Sequence, residues 1–370
     1  MASPLKKITI RGFKSIRELV DFELRSINVL IGANGAGKTN FVDFFRMLRE
    51  LSKEDFQKWV HNEGGQDRVF FNGTKVTPVV TAKMEFGRNS YRFKMSPTAG
   101  DQILIEDEFV GFDNSPGDKR ISKAVLESSL KAQKDESGVL GKFGPAHYVY
   151  EAVSNWTVYH FHDTGRLSPL RKDNNLDDWS FLRGDGSNLA SMLMAYQDKH
   201  PETYKLIRNT VRGIAPFFDD FLFRPQQKGD IRSVRLEWHQ KGSDLPMQPG
   251  QFSDGTLRFI ALATALLQPK PPSTILIDEP ELGLHPSAIG MLAEMVQAVS
   301  DRTQIILSTQ SPGLVNLFEP EDVITVNRRE GASTFTRLDA SELSQWLDAY
   351  SLGDLWQKNV VQGGPRHEKG

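Results

Sequence analysis

Gly32-Ala33-Asn34-Gly35-Ala36-Gly37-Lys38-Thr39 interrupts an apolar run, Ile27 to Ile31, and precedes Phe41, Phe44, Phe45, Leu48 and Leu51 at helical spacing. The stretch fits G-x-x-x-x-G-K-[ST] at every fixed position. A strand before it and an amphipathic helix after it form the context in which that pattern has a mechanism. Glycines let the backbone wrap until its N–H groups turn inward on phosphate oxygens. A helix beginning near Lys38 adds the positive end of its dipole. Lys38 would neutralise β- and γ-phosphates, and the Thr39 hydroxyl would bind Mg²⁺. The predicted ligands are ATP and Mg²⁺, with Asn34, Gly35, Ala36, Gly37, Lys38, Thr39 and Asn40 facing the nucleotide.

Working outward, residues 5–31 read as two or three short strands, with Ile8 and Ile10, then Phe22 and Leu24, alternating with polar neighbours. Between about 68 and 110 the period drops toward two, which predicts β-hairpins. The segment 112–145 is polar and reads as a loop with one short solvated helix near 122–134. Trp156 to Phe161 reads as a strand, and 187–213 as helix broken by Pro201. Ser253–Leu267 and Pro286–Val299 read as helices flanking the buried strand Ile275–Ile277, and Ile305–Leu307 is another. Short apolar strands alternating with helices imply a parallel sheet covered on both faces. No internal repeat or sustained heptad pattern is present, and the tail from Gln362 reads as disordered.

The bulk composition narrows the function classes. The chain has 370 residues, 39% hydrophobic and 25% charged, an ordinary globular balance. A formal net charge of −2 argues against wholesale coating of nucleic acid, though a local basic patch is compatible with it. With no cysteine, disulfides, cysteine-ligated zinc and thiol catalysis are excluded. No run of about 18 apolar residues occurs, and no signal peptide is legible, so a soluble cytoplasmic protein with no membrane partner is predicted.

Downstream, Phe252-Ser253-Asp254-Gly255-Thr256 opens the apolar helix that runs to Leu267. Taken alone, Ser253 or Asp254 simply caps a helix. Its company changes that reading. Thr274-Ile275-Leu276-Ile277-Asp278-Glu279-Pro280 is a buried strand that ends in two carboxylates. Such an ending suits phosphoryl transfer: Asp278 would hold Mg²⁺, and Glu279 would take a proton from the attacking water.

The order Gly32–Thr39, Ser253–Thr256, Asp278–Glu279 resembles the ABC ATPases, and within them the RecF/SMC-like soluble branch. Arg11-Gly12-Phe13-Lys14-Ser15 before the phosphate loop and Glu279-Pro280-Glu281-Leu282-Gly283-Leu284-His285-Pro286 after the strand match that branch. The likeness covers about residues 5–50 and 185–325, and is narrowest to short, armless ATPases, some of which serve in DNA repair or phage-defence operons. It implies an α/β P-loop NTPase of ABC type: a mixed sheet, an N-terminal antiparallel β subdomain and a helical lobe carrying the signature motif. A single domain over 1–361 is expected, with lobes at 1–160 and 161–267, the carboxylate and switch strands at 268–340, C-terminal helices at 341–361 and a tail at 362–370. The resemblance further implies a homodimer sandwiching two ATPs, in which Ser253 and Gly255 complete the partner's site. Catalytic roles then fall to Glu279, Lys38 and Gln310. Gln310 stands where the branch usually has histidine; it donates a hydrogen bond but cannot become cationic, which implies slower or differently regulated hydrolysis. The glutamine expected at the strand-to-lobe junction is replaced by His162 or Asp163. His160 and His162 share a strand face, but too few other ligands are evident for a metal site.

Three basic clusters could line DNA or simply be solvated: Lys205, Arg208 and Arg212; Arg166, Arg171 and Lys172; and Lys6, Lys7, Arg11, Lys14 and Arg17. Leu343, Trp346, Leu347 and Tyr350 form a stripe expected to pack on the chain's own sheet more than on a partner. Two readings of function follow. One is ATP-dependent dimerisation that drives a DNA-linked process, in repair or defence. The other is a regulatory ATPase that senses an invader and controls a separate nuclease or toxin effector, with slow turnover.

Overall fold

A computed structural model describes residues 3–113, 117–136, 143–361 and 363–364. Most of the tail expected to be disordered, Gln362 and residues 365–370, lies outside the described residues. The N-terminal strands β1 (Leu5–Phe13), β2 (Ile16–Glu23) and β3 (Ile27–Ile31) lead through the phosphate loop into α1 (Lys38–Lys53), and α2 (Phe56–Asn62) follows. Then come β4 (Val80–Phe86), β5 (Asn89–Pro97), β6 (Ile103–Phe112), β7 (Lys119–Val125), α3 (Leu130–Gln133), α4 (Pro145–Ser154) and β8 (Thr157–Tyr159). A mostly helical stretch holds β9 (Asn174–Asn175), α5 (Leu189–Lys199) and α6 (Pro201–Ile214), followed by β10 (Phe218–Leu222), β11 (Gln226–Lys228), β12 (Ile231–Val234), β13 (Glu237–Gln240) and β14 (Pro246–Met247). Last come α7 (Asp254–Leu267), β15 (Thr274–Asp278), α8 (Pro286–Val299), β16 (Gln304–Thr309), α9 (Pro312–Val315), β17 (Val323–Arg329), β18 (Ala332–Arg337), α10 (Ala340–Leu347) and α11 (Leu352–Gln357).

The decisive sheet has six strands in the order β18-β17-β3-β16-β15-β8. Its interior strands β3 and β16 are buried at every position, which is why they read as continuous apolar runs rather than alternating ones. Strand alternation instead sorts their side chains between two cores. Leu30, Leu276, Ile306 and Ile324 join the core that holds the phenylalanines of α1, while Val29, Ile31, Ile275, Ile277 and Leu307 join the one built on α7 and α8. Parallel pairing of β3, β16 and β15 brings their C-terminal ends to one edge. That edge carries Ile31, Asp278 and Thr309, so the phosphate loop and both carboxylates meet there.

A second six-stranded sheet, β2-β1-β4-β5-β6-β7, is antiparallel throughout and covers α1. Here the structure departs from expectation. The segment read as a polar loop contains edge strand β7, whose alternation Lys and Ser residues mask. Leu130, in the helix expected to be solvated, is fully buried. Helix α4 was not foreseen; it buries Ala146, Val149, Ala152 and Val153. The stripe at the C-terminus divides: Leu343 and Leu347 pack on the core, whereas Trp346 and Tyr350 stay 45% and 40% exposed.

The β6–β7 edge is fastened by one carboxylate. Glu108, 0% exposed, accepts from Tyr91 Oη at 2.5 Å, Ser122 Oγ at 2.7 Å, Ser129 N at 3.1 Å and the Ser128 hydroxyl. Glu108→Leu strands those hydroxyls in an apolar interior and is expected to cost about 3 kcal/mol by urea unfolding. Glu108→Gln, which keeps an acceptor, should cost less. Equal losses for the two would contradict the network.

Candidate functional site

The phosphate loop is shaped by what lies behind it. A Cβ on Gly32 would come 2.3 Å from Val326 O, and one on Gly37 would come 1.9 Å from Ser333 Oγ. Gly37 also holds φ at 112° as the residue before α1. Both pressures come from the β17–β18 hairpin. Gly35, at the loop's outer side, has open space around it. Behind the loop, Ser333 Oγ donates to Ala36 O at 2.6 Å and lies 2.7 Å from Ser15 Oγ, while Ser333 N donates to Ser15 O at 2.7 Å. Asn40, expected to face the nucleotide, donates its amide to Ser15 Oγ at 2.7 Å. The Arg11–Ser15 motif thereby acquires a physical reason. Lys14 bonds Asp43 and Glu63, each at 2.6 Å, and so locks the hairpin onto α1 and the end of α2.

Inside the loop, Lys38 Nζ donates to Gly32 O at 2.6 Å and Ala33 O at 3.3 Å. Burial lowers the pKa of its ammonium, and the charges of Glu279, Asp278 and Glu281 oppose that shift. Thr39 is exposed in the first turn of α1. These groups fit a magnesium triphosphate: an open glycine mouth, an ammonium, an exposed hydroxyl and carboxylates facing them.

At the adjacent strand ends, Glu279 sits at φ 44° and its N–H donates to Ser308 O at 2.7 Å. A left-handed glutamate is strained, and such strain marks positions where side-chain direction matters. The Gln310 amide donates to Glu279 Oε1. Glu281 Oε1 in turn accepts from Thr309 Oγ1 at 2.6 Å and Gln310 N at 3.1 Å. Burial raises the Glu281 carboxyl above the ordinary range, with a smaller push from Glu279, and its Oε2 is buried without a partner. The two glutamates are thus tied together through Gln310.

Ser253 caps the 14-residue α7, its Oγ accepting from Thr256 N at 3.1 Å, and both Ser253 and Asp254 are exposed. Gly255 packs where a Cβ would stand 2.3 Å from Gly283 O, keying the helix against the turn after Glu281. Among the described residues no hydrogen bond joins Ser253 or Gly255 to the chain's own phosphate loop.

Two arginines not foreseen in these roles hold this region. Arg258, buried in an apolar helix, donates to Phe161 O at 2.8 Å and His162 O at 2.9 Å. Arg171 donates to Thr164 O at 2.8 Å, to Pro249 O, to Phe252 O at 3.2 Å and to Asp254 at 2.7 Å. Its side chain is 9% exposed, so a cation read as either lining DNA or simply solvated is instead spent on the loop before α7. A lone arginine amid the apolar residues of Leu257–Leu267 was the readable signal for Arg258. The strand-to-lobe junction is therefore wired directly to the signature helix. Asp163 there caps a turn, accepting from Gly165 N at 3.1 Å, and His162 engages by its carbonyl. His160 lies against Gly184, its imidazole lowered by burial, and no cluster of metal-ligating side chains forms among the described residues.

The other basic clusters are largely neutralised: Lys205 by Glu202, Arg208 by Asp220, Arg212 by Asp219, Lys7 by Glu23, Arg11 by Glu18 and Arg17 by Glu330.

This fold and loop define a P-loop domain with the architecture of Smc heads. Residues 27–316 match the family described as AAA domain, putative AbiEii toxin, Type IV TA system, and the chain belongs to it. It is 25% identical over 244 residues to urease accessory protein 2 of Cryptococcus neoformans var. grubii, covering 64% of this chain and 19% of that protein. It is 38% identical over 74 residues to the chromosome partition protein Smc of Desulfitobacterium hafniense, covering 20% of this chain and 6% of that one. The chain thus spans about a fifth or less of the curated relatives it matches. Among solved structures, an Smc head bound to the C-winged helix domain of ScpA superposes with TM-score 0.60 at 14% identity, over 92% of this chain and 99% of that one. An Smc head with an extended coiled coil, bound to the C-terminal domain of ScpA from Pyrococcus furiosus, gives 0.52 at 12%, over 93% and 98%. No helix among the described residues is long and apolar enough to cross a membrane.

Gly37→Ala adds a methyl that the hairpin cannot admit, at a backbone angle alanine disfavours. ATP binding measured by calorimetry is expected to weaken at least about 100-fold with the fold retained by circular dichroism. Affinity within threefold of the unmodified chain would contradict the packing argument.

Proposed function

We propose that this chain binds and hydrolyses ATP as a two-fold homodimer, and that ATP-dependent closure drives a DNA-linked process in repair or genome defence. The observation that carries the dimer is Ser253 with Asp254: an exposed, capped helix N-terminus keyed beside the carboxylate turn yet, among the described residues, not hydrogen-bonded to its own phosphate loop. Helix N-termini attract anions, and a second copy offers one.

In this reading Asn34 to Lys38 wrap the phosphates with backbone N–H groups, and Lys38 exchanges its loop carbonyls for phosphate oxygens. Mg²⁺, held by Thr39 and Asp278, would neutralise charge on the phosphates. Glu279 accepts the proton of the attacking water as ATP and water become ADP and phosphate, and Gln310 fixes its orientation. Ser253 and Gly255 of the second copy close the pocket. Glu281 positions Gln310 from behind.

The DNA-linked half draws on the likeness to a chromosome partition protein. Since the basic clusters that could have lined DNA are mostly ion-paired, such contact would fall elsewhere. Control of a separate nuclease or toxin effector is the second reading. It is supported by the family's association with type IV toxin–antitoxin systems and by the exposed pair Trp346 and Tyr350.

Glu279→Gln is expected to keep ATP binding, lower turnover at least about 100-fold and accumulate an ATP-bound dimer on gel filtration. Undiminished turnover would show that Glu279 is not the base. DNA affinity measured with and without ATP should fall as salt rises if phosphates are contacted.

A further inference from the structure

Beside edge strand β8, away from the phosphate loop, lies a cleft of about 490 Å³, enclosed by the end of α1, by α5, by residues 179–182 and by the turn after α7. Cavities of this size hold small organic ligands. Its charge is one-sided. Arg49, Lys53, Lys199 and Lys270 line it, and no aspartate or glutamate does. Lys53 is paired with Glu50 at 2.7 Å, but Arg49, Lys199 and Lys270 form no ion pair among the described residues, and the buried Arg49 Nε has no hydrogen-bond partner.

The wall is also aromatic. Trp179 and Phe181 both face the cleft while remaining 40% and 52% exposed, and Lys199 Nζ stands 3.1 Å from the centre of the Trp179 ring. Two large rings left wet in one loop forgo burial that an ordinary packing role would supply. Rings interleaved with unpaired cations are the combination that stacks a base and holds its phosphate.

We propose that this cleft binds an aromatic base joined to a phosphate, with Trp179 and Phe181 stacking on the base and Arg49, Lys199 and Lys270 meeting the phosphate. The source is either an unpaired nucleotide of a nucleic-acid strand or a free nucleotide. A duplex, whose bases are stacked on one another, does not fit. The inference does not rest on the ATP-dependent dimer.

The test uses the full chain with fluorescein-labelled oligothymidylate, the same strand in a duplex, and AMP as competitor. Trp179→Ala is expected to weaken oligothymidylate binding about tenfold, and Trp179→Phe to restore it to within threefold. Lys199→Glu should weaken binding and flatten its salt dependence. ATP turnover should be unchanged in Trp179→Ala, which separates this proposal from the ATPase reading. Binding of the single strand above both duplex and AMP assigns a nucleic-acid source. Binding of AMP alone, lost in Trp179→Ala, assigns a free nucleotide. The proposal is overturned if the unmodified chain binds neither single strand nor AMP, or if Trp179→Ala with Phe181→Ala binds them undiminished.

Discussion

Everything at this site depends on how closely the phosphate loop is pressed against its scaffold. Gly37 has no room for a side chain because Ser333 and Ser15 occupy that space, and Gly32 none because the backbone of β17 does. The loop cannot relax backward, and Lys38 starts α1 at a fixed point. Preorganisation of this kind means that little has to be reordered when charge arrives. The scaffold comes from both ends of the chain, Ser15 near the start and Ser333 near the end, so an intact loop reports an intact fold.

The same tightness recurs beyond the loop. Arg258 joins α7 to the junction after β8, Arg171 joins that junction to Asp254, and Gly255 rests on the turn after Glu281. Through Gln310, that turn reaches Glu279. Helix α7 is therefore linked to the carboxylates by a contiguous path of packed backbone and the two Gln310 hydrogen bonds.

What could be read in advance follows from these forces. The glycine loop and the strands ending in Asp278 and Thr309 were legible because full burial imposes unbroken apolar runs, and a phosphate cradle imposes fixed glycines. Strand β7 was not, because it lies at a sheet edge where Lys119, Arg120 and Lys123 tolerate solvent and break the alternation. Arg171 looked like a surface cation since loop residues carry no period that would betray burial. Arg208 and Arg212 looked unpaired since their partners, Asp220 and Asp219, lie across a turn in the next strand. Trp179 and Phe181 drew no notice because two aromatic residues in a loop acquire meaning only when folding sets cations around them.

The central claim is that one copy's loop and the other's signature helix build a single site. Lys38→Ala and Ser253→Arg should each be inactive alone, the first losing its phosphate grip and the second blocking its neighbour's. Mixed in equal amounts, half of the dimers are hybrids, and each hybrid retains one complete site. ATP turnover in the mixture should therefore recover to about a quarter of the unmodified level. A mixture no more active than its two components would contradict assembly of the site across two copies.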